Sequence, residues 1–234
     1  MQGDDFERAE SGPSSPRLKA GASGPGNLVN PPRDVLSRLV AAFDRWMQRR
    51  LGIWEFSDDP DCMLRVGLVR CRWRVELADG TAVERGEVIG KIHAWNERVP
   101  PLPPTGPDLA WARGLRRRLV HSFRLLARAA QEDPRLADVR GFGGDGALEY
   151  SRAILRLLDR LGVETYDLPS ETLRERVEEK VNLLWTYLMR RTYNPPSIQG
   201  RGPEVLKRRF YWLSRERLLA LHGPGTGADE PSGA

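Results

Sequence analysis

Chemistry-bearing side chains crowd one short run of this chain, Val88 to Asn96, which ends in His93, Trp95 and Asn96. An imidazole exchanges a proton near neutrality, an indole stacks a ring, and a carboxamide both donates and accepts hydrogen bonds. Together they suit a polar, ring-containing ligand. The run reads as a strand, so His93 and Trp95 share a face with Ile89 and Lys91. A structural alternative stands beside that reading: a buried Trp95, with His93 and Asn96 tying down the proline-rich turn that follows.

Two further features invite chemistry. Arg116 falls near the middle of the apolar arc of an expected helix. A buried guanidinium must meet a carboxylate such as Asp145 or Glu149, several carbonyls, or an anionic ligand. The segment Gly141-Phe-Gly-Gly-Asp-Gly146 stands between an expected strand and an expected helix. Gly143, Gly144 and Gly146 there either let an anion approach a helix N-terminus or form a plain loop. The segment has neither the P-loop lysine with Ser/Thr nor the dinucleotide fingerprint.

Several chemistries are not written. There is no Gly-x-Ser-x-Gly elbow. The three histidines, His93, His121 and His222, lie on separate segments, and Cys62 and Cys71 lack metal-ligand spacing. No metal and no cofactor are therefore expected, and both cysteines read as small buried strand residues.

The elements that must position these groups follow from pattern. Residues 1–32 are rich in Gly, Ser and Pro and read as a disordered tail, as do residues 223–234. Between them, 33–222 reads as a single domain. A helix is expected over Asp34 to Leu51, with Val35, Leu36, Leu39, Val40, Phe43, Trp46 and Met47 on one apolar face. Alternation over Cys62–Leu68 changes phase at Val69–Leu77, which predicts a bulge or bend near Gly67. Asp79-Gly80 reads as a tight hairpin turn. A long helix spans about Asp108 to Gln131, a shorter one Leu148 to Leu161, and a third runs from Ser170 to Arg191 with Leu173, Val177, Val181, Leu184 and Leu188 toward the core. A strand near Arg209–Leu213 leads to Ser214, the expected cap of a last helix. The fold class is α+β: one mixed, largely antiparallel sheet with hairpins, flanked by about five helices.

The chain has 234 residues, a net charge of +5, and 37 Lys and Arg of which only Lys19, Lys91, Lys180 and Lys207 are lysine. Such a balance permits anionic partners without demanding them. No apolar run approaches the roughly 20 residues of a membrane span. The N-terminus lacks a secretion signal, so the cytoplasm is the expected location.

Asp79-Gly80, Gly86-Glu87, Ile92-His93 and Asn96, with the order of elements from about Ile53 to Leu168, resemble the pattern of the YkoP-like domain. That module occurs alone or fused to polysaccharide deacetylases. The resemblance implies an accessory module that binds a polar ligand, a carbohydrate or an envelope precursor, near His93, Trp95, Asn96 and Arg116. The Asp-Asp and His-x-x-x-His motifs of the deacetylases are missing, because Asp58-Asp59 has no such partner. A second possibility is a transferase, with the Gly141–Gly146 turn on a phosphate-bearing donor and His93 as base. A third, less favoured, is nucleic-acid binding through the stripe Arg113, Arg117, Arg124 and Arg128, with arginine–aromatic interleaving at Arg70–Arg74 and Arg208–Trp212. Whether the protein is an enzyme, and its oligomeric state, stay open.

Overall fold

The computed structural model describes residues 34–226, apart from 104, 150–151, 168–172, 199–201 and 203–205. The expected N-terminal tail, the C-terminal one beyond residue 226 and the proposed cap at Ser170 lie outside the described residues, whereas Gly223 closes the last helix and its carbonyl accepts the Thr226 amide at 3.2 Å.

Helix α1 (Val35–Arg50) starts where Asp34 Oδ1 accepts the Ser37 amide at 2.6 Å. Strand β1 (Leu64–Arg70) follows, then a small hairpin of β2 (Val75–Glu76) and β3 (Ala82–Val83), and then β4 (Val88–Ala94). Gly80 turns that hairpin with φ of 85°, a left-handed conformation that a side chain would strain. The long helix α2 (Leu109–Glu132) leads to β5 (Gly141–Glu149), α3 (Arg152–Arg160), β6 (Glu164–Asp167), α4 (Leu173–Tyr193), β7 (Leu206–Ser214) and α5 (Arg215–His222). Ser214 caps α5 as expected, its Oγ accepting the Arg217 amide at 2.9 Å.

The main sheet has the order β1-β4-β5-β7-β6. Only β4–β5 is parallel; the other three pairings are antiparallel. Each face has its own core. On the first, Leu64, Val66, Phe142 and Leu213 meet Phe123, Leu126 and Ala130 of α2 and Leu218 of α5. On the second, Ile89, Phe210 and Trp212 are covered by Cys71, Leu77 and Val83 at the hairpin end. Val40 and Ala41 of α1 join Met189 and Tyr193 of α4 in a third cluster.

Burial from both sides explains a departure from expectation. The β1–β4 register is unbroken from Leu64↔Ala94 to Arg70↔Val88, so no bulge forms near Gly67. The apolar phase shifts because Leu64, Val66 and Leu68 serve the first face, whereas Val69 and Cys71 serve the second.

The glycine run is a second departure. It is not a loop before a helix but the middle of β5, and α3 starts only at Arg152. Its glycines make room. A Cβ on Gly143 would lie 2.8 Å from both Trp212 Cε3 and the Tyr211 carbonyl oxygen, and one on Gly144 would lie 2.9 Å from the Ile92 carbonyl oxygen. A third departure concerns α1 and α4, whose apolar stripes stay largely in solvent.

Gly143→Ala is expected to destabilise the fold by about 2–3 kcal/mol or more, because its methyl group meets backbone as well as the indole. Urea unfolding checks this. A variant of unchanged stability would mean that β7 does not press on β5 at this point.

Candidate functional site

The parallel ladder between β4 and β5 is short, running through Gly90↔Phe142 and Lys91↔Gly143 only. Lys91 stands at the end of that ladder and places Nζ 2.8 Å from Asp145 Oδ1, two residues further along β5 than its partner Gly143. His93 follows Lys91 on the same face of β4 and is paired in register with Arg65 of β1. This second face of the sheet therefore carries a strip of polar groups between its apolar clusters.

Arg65 is its most demanding member. It is 8 % exposed. Its Nη1 donates to Gln48 Oε1 at 2.8 Å, its Nη2 to Glu55 Oε1 at 3.1 Å, and Glu97 Oε2 lies 3.8 Å away. The guanidinium also lies over the Trp95 ring at 4.1 Å, and Arg98 lies over the same ring at 3.3 Å. Trp95 is 7 % exposed, pinned by its amide to the Met63 carbonyl at 2.7 Å. Its indole is engaged by cations. An open stacking platform it is not.

Desolvation, helped by the Lys91 cation, pushes His93 down to about 3, so the ring is neutral near pH 7. The opposite happens at Asp44 of α1, which is 7 % exposed and hydrogen-bonded by Gln48 Nε2 at 2.7 Å. Burial and the Glu97 carboxylate raise it to about 6. Burial likewise pushes up the nearby Tyr193 hydroxyl.

Beside Lys91 and Asp145 a shallow cleft opens, about 30 Å³ in volume and lined also by Arg70, Arg72, Trp73, Phe210 and Trp212. That volume holds a water or two, not a sugar ring. Trp73, however, is 40 % exposed, standing edge-on to Phe210 with ring centroids 5.1 Å apart. Arg72 is anchored to Glu178 of α4 at 3.6 Å, and Arg70 donates to the Gly86 carbonyl at 3.0 Å.

The expected site residues are thus dispersed. His93 and Trp95 lie near one another, both beside Arg65, and Asn96 follows in the turn. Arg116 is exposed on α2, which packs on the opposite face of the sheet, so it is neither buried nor near His93. The carboxylate suggested for it, Asp145, pairs with Lys91 instead. Gly143, Gly144 and Gly146 are strand residues pressed by neighbouring chain, without a helix N-terminus to favour an anion. The stripe Arg113, Arg117, Arg124 and Arg128 is exposed along α2. Sequence reasoning missed Arg65, because an arginine alternating with Leu64 and Val66 reads as solvent-facing. It did not single out the cleft, whose walls take Arg70, Arg72 and Trp73 from one arginine–aromatic stretch and Phe210 and Trp212 from the other. Cys62 and Cys71 are free and buried, with burial raising both thiols. Among the described residues no cluster of His, Cys, Asp or Glu could hold a metal, and no helix is long and apolar enough to cross a membrane.

The polar strip makes stability depend on pH in two directions. Asp44 has a raised folded pKa, so its contribution is fullest below the ordinary carboxylate range and is lost as pH rises through about 6. Asp44→Asn is expected to stabilise the fold by about 1–3 kcal/mol at pH 7.5 and by almost nothing near pH 4, measured by urea unfolding. A loss of stability at pH 7.5 would show that an ionised Asp44 is needed by Arg65. His93 has a lowered folded pKa. Its unfolded ring takes up a proton below about 6.5 while the folded ring does not, so stability falls as pH drops from there toward 3. His93→Gln should therefore remove close to one proton, about 1.4 kcal/mol per pH unit, from the slope of stability against pH between 6 and 4.

Comparison with known proteins agrees with this geometry only at the level of the family. Neither a search of curated proteins nor one of solved structures finds a match. The YkoP domain matches residues 33–222. Those residues include every helix and strand of the fold, the polar strip and the cleft, and the chain accordingly belongs to the YkoP domain family.

Proposed function

We propose that this domain is an accessory module that binds a polar, ring-bearing ligand of the carbohydrate class, acidic groups included, across the cleft beside Lys91 and Asp145. One observation supports the reading: a partly exposed indole, Trp73, lines the same cleft as a largely buried ion pair, with Arg70 and Arg72 also in its wall. An aromatic face covers the apolar side of a sugar, a lysine and a carboxylate divide its hydroxyls between donor and acceptor, and arginines suit a carboxylate or phosphate substituent. The choice of carbohydrate over other ring-bearing ligands rests on the likeness to modules fused to polysaccharide deacetylases. His93 on β4 and Asn96 in the turn after it lie next to the cleft in the chain but are not among its lining residues.

A transferase with His93 as general base has less in its favour. A base works best with a pKa near the working pH, and His93 is held at about 3. The glycines assigned to a donor phosphate are packed against Trp212 and Ile92. Nucleic-acid binding through α2 keeps its exposed arginine stripe but gains no aromatic partner on that helix beyond Trp111.

Titration calorimetry against neutral oligosaccharides, uronic-acid oligosaccharides and sugar phosphates tests the proposal. The acidic sugars should bind, and Trp73→Ala should weaken them at least about tenfold, the scale of one lost stacking contact. The melting temperature should barely move, because Trp73 is already exposed. Lys91→Met should also weaken binding. A panel with no binder, or binding untouched by both substitutions, would remove the cleft from consideration.

A further inference from the structure

Helix α1 is turned inside out. Its buried residues are Ser37, Val40, Ala41 and Asp44, two of them polar and one a single methyl group. Its large apolar side chains, Val35, Leu36, Leu39, Phe43 and Trp46, recur at three- and four-residue spacing and point away from the fold. Helix α4 repeats the arrangement. Leu173, Val177, Val181 and Leu184 form an outward stripe, while Met189 and Tyr193 face in. The two stripes meet at Phe43, whose ring lies 5.2 Å from Trp185 of α4 and 5.4 Å from Trp46. They form one surface.

These nine side chains each expose between 43 and 78 % of their area. Together they present on the order of 900 Å², above the 300–600 Å² of the largest patch on a typical monomer and close to the roughly 800 Å² that each partner gives to a stable interface. Few large apolar side chains outside the described residues are available to cover them. Residues 1–33 hold only Met1, Phe6, Leu18, Leu28 and Val29 as large apolar side chains, and residues 227–234 hold none. The short internal segments outside the described residues add Tyr150, Leu168 and Val205.

We infer that the α1–α4 surface is the interface of a homodimer, in which two helix pairs related by a two-fold axis close a four-helix layer. An apolar patch of this shape is self-complementary when copies pack two helices on two, as in four-helix bundles. Charge selects the arrangement. The exposed cations Arg38, Arg45, Arg49 and Arg50 make α1 basic, so α1 on α1 sets like charges together. The half of α4 that bears the stripe mixes Arg176 and Lys180 with Glu175, Glu179 and Glu178, the last already paired with Arg72, and so is less basic than α1. Laying α1 of one copy over α4 of its partner avoids the repulsion.

Sedimentation velocity of the full chain from 1 to 100 μM provides the test. Wild type should sediment at twice its 26.4 kDa mass. Leu39→Glu and Val181→Glu, one on each helix, should each raise the dimer dissociation constant at least about a hundredfold by burying a charge at the seam. Arg128→Glu, exposed on the other side of the molecule, should leave it unchanged. Hydrogen exchange of the wild-type chain gives a readout independent of any variant: amides of 35–46 and 173–184 should gain protection as concentration rises through the transition. A wild-type monomer at 100 μM overturns the inference, whether or not the patch then binds lipid vesicles. So does a dimer indifferent to both substitutions, or one whose protection appears elsewhere.

Discussion

A guanidinium buried on the edge strand of a two-faced sheet is the constraint from which much of this structure follows. Arg65 sits between Leu64 and Val66 on β1 and is almost wholly out of water. An unpaired cation there would be far too costly, so the chain brings polar and acidic groups from three directions, two of them as hydrogen-bond acceptors. Gln48 comes from α1, Glu55 from the loop before β1, and Glu97 from the turn after β4. Trp95 adds the face of an aromatic ring. Negative charge collected for Arg65 then acts on its neighbours. Asp44 and Glu97 cannot both ionise freely in that space, which helps hold Asp44 near 6, while burial and the Lys91 cation keep His93 neutral.

The same reasoning was available from the sequence, attached to a different residue. Arg116 lies within an apolar arc on a helical wheel, yet it is exposed because α2 buries only part of that arc against the sheet. Arg65 lies in a strand, where alternation is normally read as one face in and one face out. That rule fails when both faces are covered, and the phase change between Leu68 and Val69 was its visible trace. Local rules did well where local physics decides. The Asp79-Gly80 turn, the cap at Ser214 and the extent of α2 were all legible, because turn geometry and capping act over a few residues. The glycine run was not. Its glycines answer to Trp212, Tyr211 and Ile92, residues far away in the chain, and no short-range rule tells such a glycine from one in a loop.

Those glycines also shape the candidate site. With no side chain at Gly143, the indole of Trp212 lies directly on β5, and the second face of the sheet is apolar up to the end of the β4–β5 ladder. Polar groups then enter together: Lys91 with Asp145, and beyond them His93 with Arg65. A cleft at such a border offers an apolar wall and a charged floor within a few ångströms. Neither the aromatic stretches nor the strand of His93 shows this alone. It appears only when the parallel pairing sets β4 beside β5 and β7 carries Phe210 and Trp212 across from Trp73.

The buried cation and the exposed apolar surface are two ends of one constraint. Gln48 reaches Arg65 and Asp44 lies within its field only if α1 rolls its polar side inward. On a helix of this length the opposite side must then face out. That side carries Val35, Leu39 and Trp46. Had Arg65 been apolar, α1 could have turned its large side chains onto the sheet and left Asp44 and Gln48 in water. An outward apolar stripe is tolerable on a folded chain only if something else covers it. A second copy, supplying a matching stripe, removes from water the surface that Arg65 forces α1 to display.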